Sequence, residues 1–218
     1  MCLWERIGDG AAPVRVLPDG CIDVVWSSTG GTWIAGANTT AFHAAVAPGE
    51  HVVGARLAPG GAPALLGVAG ELVLDQRPPV ADILGEPGAR LAQQLNLAPD
   101  RVALLGSWLA QRAAAAPEPD RLVTEAARRL HDGGVSVAGL AGELSVSERA
   151  LRRRVRTAVG YGPKRLARVL RLTRALAAAH AGQELGRVAF EAGYADQAHF
   201  CTDCRELAGA SPTALLTE

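Results

Sequence analysis

Two spacings of apolar residues divide this chain. Up to about residue 75 the apolar runs are short, rich in Val, Ile and Trp, and separated by turn residues, the pattern of β-strands. Residues 21–27 (CIDVVWS) give the clearest strand. Alternation places Cys21, Asp23 and Val25 on one face and Ile22, Val24 and Trp26 on the other. Pro18-Asp19-Gly20 before it is a turn, since Pro presets φ and Gly accepts positive φ. Residues 14–17, 32–35, 40–46 and 51–57 read as further strands, divided by Gly30-Gly31, Pro48-Gly49 and other turn residues. Short strands with no helix among them predict an antiparallel sheet or small barrel.

Past Pro59-Gly60-Gly61, from about Pro63, the spacing becomes helical. A helical turn is expected over 64–67, and helices over 80–84, 88–95 and 100–115. In the last of these Val102, Leu105, Leu109 and Arg112 follow an i, i+3/i+4 progression. That helix carries Trp108 and either packs on the β region or forms a dimer contact. Residues 113–120 (AAAAPEPD) are the expected domain boundary. Pro117 and Pro119 bar one continuous helix, and Pro119 suits the first turn of the next.

Beyond the boundary, 121–131 reads as a helix closed by Gly133-Gly134. In 136–155 (SVAGLAGELSVSERALRRRV), Leu140, Ala141, Leu144, Val146, Leu151 and Val155 fit two short helices with a tight turn at Ser145-Val146. Ser147 is a good N-cap, and Glu148 favours the positive end of the helix it opens. This is a helix-turn-helix pattern. It recurs over 184–205, where Val188, Ala189, Ala192, Tyr194 and Phe200 repeat the spacing, Gly193 turns the chain and Asp196 caps the next helix. A helix over 163–179 joins the two units, so that two readers could reach successive major grooves about 34 Å apart.

The predicted fold class is α+β. A β-rich domain with trailing helices (1–116) precedes an all-α domain of two helix-turn-helix units (117–218). The chain has 218 residues, long enough for one large domain or two of about 100 residues each, and 49% of them are hydrophobic, enough for a real core. Its net charge of zero hides an asymmetry: residues 1–120 carry 7 basic and 12 acidic residues, and residues 121–218 carry 15 and 10. Residues 149–174 hold ten Lys or Arg and no acid, interleaved with apolar positions at helical spacing. A helix with one face in a core and the other dense in Arg suits a polyanion, DNA above all. The N-terminus lacks a signal-peptide pattern and no run of about 20 apolar residues exists, so a cytoplasmic protein off the membrane is expected.

Residues from about 121 to 216 resemble the DNA-binding domain of the AraC/XylS family of transcription regulators. LAGELSVSERALRRRV, the connector RLTRAL, VAFEAGYADQAHF and the following GASP carry the resemblance. The first half more weakly resembles β-rich domains joined to such modules, through LPDGCIDVVW and VVGARLAPGGAPALLG. The family pattern implies that Arg149, Arg152 and Arg153 face bases in the first unit, and Gln197, Ala198, His199 and Thr202 in the second. Arg pairs with both guanine acceptors in the major groove and Gln with adenine. Ser147, Arg154, Arg156, Lys164 and Arg165 are expected on phosphates, which position without reading. For Arg168, Arg171 and Arg174 a salt-bridge role is at least as well supported.

The second unit departs from the family at Thr202, where a basic residue is usual, and at Cys204, where an aromatic is usual. Asp203 adds a negative charge. The second helix is therefore expected to read weakly and the first to supply most of the specificity.

The implied partners are double-stranded promoter DNA, RNA polymerase if the protein activates, and an unidentified small-molecule effector. A homodimer is left open. Cys21, Asp23, Trp26, Trp33, Phe42, His43 and Arg56 are the candidate effector pocket, or simply core. The alternative is a thiol-based sensor using Cys21 or the Cys201/Cys204 pair. A lone CxxC is a weak metal signal, so no metal or cofactor is expected. No GxSxG, phosphate loop or HExxH occurs, so no enzyme is expected.

Overall fold

The computed structural model describes residues 1–10 and 13–217. Its N-terminal half is built on a four-stranded antiparallel sheet of β1 (Cys2–Ile7), β3 (Ile22–Ser27), β4 (Gly31–Ala35) and β6 (His51–Leu57), ordered β1-β6-β3-β4. β2 (Val14–Val16) and β5 (Phe42–Ala44) pair as a separate two-stranded ribbon. β1 is absent from the sequence-based expectation, and β5 is much shorter than the 40–46 run. β1 is hard to read because Leu3, Glu5 and Ile7 on one face and Cys2, Trp4 and Arg6 on the other each mix apolar with charged residues, as an edge strand tolerates.

Strand alternation decides what the sheet buries. Ile22, Val24, Trp26, Ile34, Val53, Ala55 and Leu57 share one face and are buried. α1 (Ala62–Leu66), α2 (Val80–Leu84), α3 (Glu86–Leu97) and α4 (Arg101–Ala115) follow the sheet and enclose that core with Leu91, Leu95, Leu105 and Leu109. α4 packs on β1 and β6, so its apolar stripe belongs to this core. Asp100 caps it by accepting from the Ala103 N–H at 2.8 Å. The Trp26 indole N–H donates to Asn96 Oδ1 at 2.7 Å, which satisfies the one polar atom that this aromatic takes inside.

The C-terminal half is helical: α5 (Arg121–Asp132), α6 (Val137–Glu143), α7 (Glu148–Val159), α8 (Pro163–His180), α9 (Leu185–Glu191), α10 (Gln197–Asp203) and α11 (Pro212–Leu215). A π-helical turn, Cys204–Ala208, continues α10. Asp120, not Pro119, starts α5: its carboxylate accepts from Leu122 and Val123 N–H groups, and Pro119 lies before the cap. Among the described residues no helix is long and apolar enough to cross a membrane.

The buried core runs across the 113–120 boundary. Gly70 lies flush against α7, where a Cβ would come within 2.6 Å of the Ala158 carbonyl oxygen. Gly20, at φ +79°, is wedged beside Leu166 and Tyr161. The Ala41 N–H donates to the Leu207 carbonyl at 2.7 Å, and Arg15 donates to the Ala208 carbonyl at 2.6 Å. The β-rich half is thus pressed onto both helical units.

Candidate nucleic-acid interface

The first unit is α6, a turn and α7. Ser145 turns the chain at φ +53°, and Ser147 opens α7 by accepting from the Ala150 N–H at 3.2 Å. Leu151, Val155, Ala158 and Val159 are buried, which points the opposite face of α7 outward. Arg149, Arg152 and Arg153 are exposed there and carry no ion pair or hydrogen bond among the described residues.

The second unit repeats this arrangement. Gly193 makes the turn at φ +84°, and Asp196 opens α10 by accepting from the His199 N–H at 2.7 Å. Phe200 is fully buried, and Gln197, Ala198, His199 and Thr202 are exposed. The His199 ring meets Tyr194 edge-on at 5.1 Å, which orients it. The Thr202 hydroxyl donates to the Ala198 carbonyl at 3.0 Å.

Of the residues expected on phosphates, Ser147 gives its hydroxyl oxygen to the cap of α7, and the four cations fall into two groups. Lys164 is exposed without a described partner. Arg154 instead grips both Asp120 oxygens, at 2.7 and 2.5 Å. Arg156 lies 3.3 Å from Glu71, and Arg165 donates to the Thr39 carbonyl at 2.6 Å. In this conformation these three arginines hold protein, the latter two reaching from the helical half to the β-rich half, a use that sequence spacing alone does not reveal.

The salt-bridge reading of the connector arginines holds for Arg168 and Arg171 but not for Arg174, whose partners are main-chain carbonyls. Asp203 is only 2% exposed and lies between Arg168, at 2.6 Å, and Arg171, at 2.8 Å; Arg168 also reaches Glu206. Its negative charge is therefore neutralised inside the unit rather than offered to DNA, which corrects one ground given for weak reading by α10. Arg174 donates to the His131 and Ala192 carbonyls, near the C-terminal ends of α5 and α9, where a cation complements the helix dipoles. Between the two units runs an open groove of about 480 Å³, lined by Gly133, Gly134, Lys164, Arg168 and Arg171 among others.

Residues 140–218 match a family model described as a helix-turn-helix domain. The C-terminal half carries an AraC-type helix-turn-helix domain. Residues 1–79 match a family described as a domain of unknown function. ToxT from Vibrio cholerae has a similar fold, with a TM-score of 0.53 at 10% identity, over 99% of this chain and 98% of that one. The C-terminal domain of AraT, a response regulator from Geobacillus stearothermophilus, gives a TM-score of 0.43 at 20% identity over 45% of this chain and 85% of that one. No curated protein matches the sequence.

Joined to this AraC-type domain, the β-rich half does not gather the seven effector candidates into one pocket. Strand parity separates them: Trp26 faces the core, under Arg101, while Asp23 and Trp33 lie on the opposite face of the sheet, together with Arg56. Phe42 and His43 belong to the β2–β5 ribbon, and Phe42 lies 3.5 Å beneath Arg77. Asp23 is buried and holds Arg56 through both carboxylate oxygens; Asp19 lies 3.3 Å from the same guanidinium. Burial raises the Asp23 carboxyl above its ordinary range despite Arg56. Trp4, unremarked in the sequence, lies across Gly54 on this face, where its ring excludes any Cβ.

Two of the three thiols in the sensing alternative, Cys21 and Cys204, are shielded, and Cys201 is half-exposed. Burial pushes Cys21 far up, with Asp19 adding to it, and raises Cys204 to about 12, so neither offers thiolate at neutral pH. Among the described residues no three metal-ligating side chains converge.

Proposed function

We propose that this protein is a cytoplasmic, non-enzymatic transcription regulator that reads double-stranded promoter DNA through α7 and, more weakly, α10. One observation carries the reading. Arg154, Arg156, Arg165, Arg168, Arg171 and Arg174 all have protein partners, and Arg149, Arg152 and Arg153 have none among the described residues. Side chains left free on the exposed face of a second helix-turn-helix helix are the ones available to guanine O6 and N7. Lys164 and the groove beside it would take phosphates of the strand passing between the units. RNA polymerase becomes a partner if the bound protein activates.

Selection from a random duplex pool tests this. The full chain should enrich one motif, and the combined variant Arg149→Ala, Arg152→Ala, Arg153→Ala should enrich none while still folding. Failure of the parent chain to enrich any motif would sink the reading.

Control by a small molecule at the N-terminal half is the second part of the proposal. The supporting geometry is the sheet face that holds Trp4, Trp33, Asp23 and Arg56, two indoles around a charged pair. A ToxT structure of similar fold is bound to (E)-4-(8-methylnaphthalen-1-yl)but-3-enoic acid. A compound library screened by thermal shift should give hits that Trp33→Ala abolishes. Hits insensitive to Trp33→Ala and Arg56→Ala would place the effector elsewhere.

A further inference from the structure

The two edges of the four-stranded sheet are treated differently. At the β4 edge the chain doubles back: the Ile34 N–H donates to the Pro78 carbonyl at 2.9 Å, and the Gly36 N–H to the Gln76 carbonyl at 3.0 Å. The β1 edge has no such cover among the described residues. Which backbone groups it leaves open follows from the ladder. The Gly8 N–H donates to the Glu50 carbonyl, and the Ser28 N–H to the His51 carbonyl. The backbone of His51 therefore faces β3, so Val52, Gly54 and Arg56 face β1 and pair with Arg6, Trp4 and Cys2. Leu3, Glu5 and Ile7 turn their N–H and C=O groups away from the sheet. Among the described residues only the Cys2 thiol, at 3.5 Å from the Leu3 carbonyl, approaches any of them.

We propose that a second copy of this chain pairs with β1, antiparallel and two-fold symmetric about Trp4, to make one continuous eight-stranded sheet. Symmetry and charge choose the register. A two-fold axis through a sheet maps each face onto itself, so it must pass through a residue position. Centred on Glu5 it sets Glu5 against Glu5, and centred on Arg6 it sets Arg6 against Arg6; like charges directly opposite are unfavourable. Centred on Leu3 it shortens the overlap. Centred on Trp4 it pairs Leu3 with Glu5, Cys2 with Arg6, and Ile7, 66% exposed in one copy, with the exposed Met1 of the other.

The space at the centre is already cleared. The Trp4 ring leans over Gly54, away from the open edge. On the other face α4 crosses β1 at Gly106, where a Cβ would come within 2.9 Å of Leu3. Ala103 and Ala110, one turn either side of Gly106, are exposed and small enough for the α4 helices of two copies to approach. This dimer is independent of the DNA-binding reading and would stand without it.

Sedimentation equilibrium of the full chain and of Glu5→Pro tests the proposal. Proline is tolerated on an edge strand where the N–H points outward, so β1 should keep its ladder to β6. The dimer dissociation constant should rise about tenfold or more, from two hydrogen bonds lost across the two-fold axis. Arg6→Cys provides a check that does not depend on how well the proline variant folds. Under mild oxidation it should give a covalent dimer whose peptide map joins Cys2 of one copy to the introduced thiol of the other. A chain that stays monomeric at every concentration, or a dimer unmoved by Glu5→Pro and not cross-linked in Arg6→Cys, would overturn it.

Discussion

Glu71 of the β-rich half lies 3.3 Å from Arg156 on α7, the second helix of the first unit. The same carboxylate accepts from the Thr157 hydroxyl at 3.3 Å. Both charged side chains are well exposed, so the pair adds little stability; Glu71→Gln should change it by no more than about 0.5 kcal/mol. Its consequence lies in binding, because it occupies a cation otherwise free for a phosphate. Glu71→Gln should raise DNA affinity about two- to fivefold at low salt and steepen the logarithmic salt slope by up to about one. Anisotropy titrations over a salt series measure both. An unchanged slope would mean that Arg156 keeps Glu71 when DNA is bound.

The helical half was largely legible because its signals are local. Ser147 and Asp196 announce their helices within three residues, and Gly193 announces its turn. The links between Glu71 and Arg156, Thr39 and Arg165, or Ala41 and Leu207 leave no such trace, since each joins residues that are far apart in the chain and individually ordinary. β1 is illegible for another reason: an edge strand buries too little for alternation to show. Residue type alone groups the effector candidates, and the parity that separates Trp26 from Asp23, visible in the strand itself, argues against the group.

Asp120 has two roles, which two substitutions separate. It caps α5 and holds Arg154. Asp120→Ala should cost about 1–2 kcal/mol near neutral pH through the lost cap. Asp120→Asn keeps an acceptor and loses the charge pairing, for less than about 1 kcal/mol given the half-exposed arginine. Burial pushes the carboxyl up, but Arg154 and the Val123 and Leu122 N–H groups outweigh it and hold its pKa below the ordinary 3.8. A depressed carboxyl stabilises the fold above its unfolded pKa and loses that contribution as pH falls through the folded value. The stability gap between parent and Asp120→Ala, read by urea unfolding, should therefore narrow only below about pH 4.

Tyr161 predicts a gain. It is 5% exposed, and its hydroxyl lies at the seam beside Gly20 without a hydrogen-bond partner among the described residues. A buried unpaired hydroxyl is a cost, so Tyr161→Phe should be neutral or stabilising by up to about 1 kcal/mol. A loss of more than about 1 kcal/mol in thermal unfolding would show that the hydroxyl is bonded in solution.

Asp203 predicts the opposite. Removing this buried carboxylate takes one of two acidic partners from Arg168 and the acidic partner of Arg171, so Asp203→Ala should cost about 3 kcal/mol. Since that charge is shielded from the surface, the DNA affinity of the folded fraction at low temperature should change little. A large gain in affinity with little loss of stability would mean that Asp203 repels phosphate after all.

The two reading helices should differ in kind. Arg153 extends from α7 with no partner among the described residues, free to make a bidentate contact worth about 1–3 kcal/mol of base discrimination. Thr202 on α10 spends its hydroxyl proton on the Ala198 carbonyl and reaches less far. Arg153→Ala should flatten preference at one base pair by about ten- to a hundredfold and leave non-specific binding weaker by only one charge. Thr202→Ala should shift no position by more than about twofold, since the main-chain bond it gives up is local. A base-substitution binding series on the enriched site compares them directly. Equal losses from the two variants would mean that α10 reads as strongly as α7.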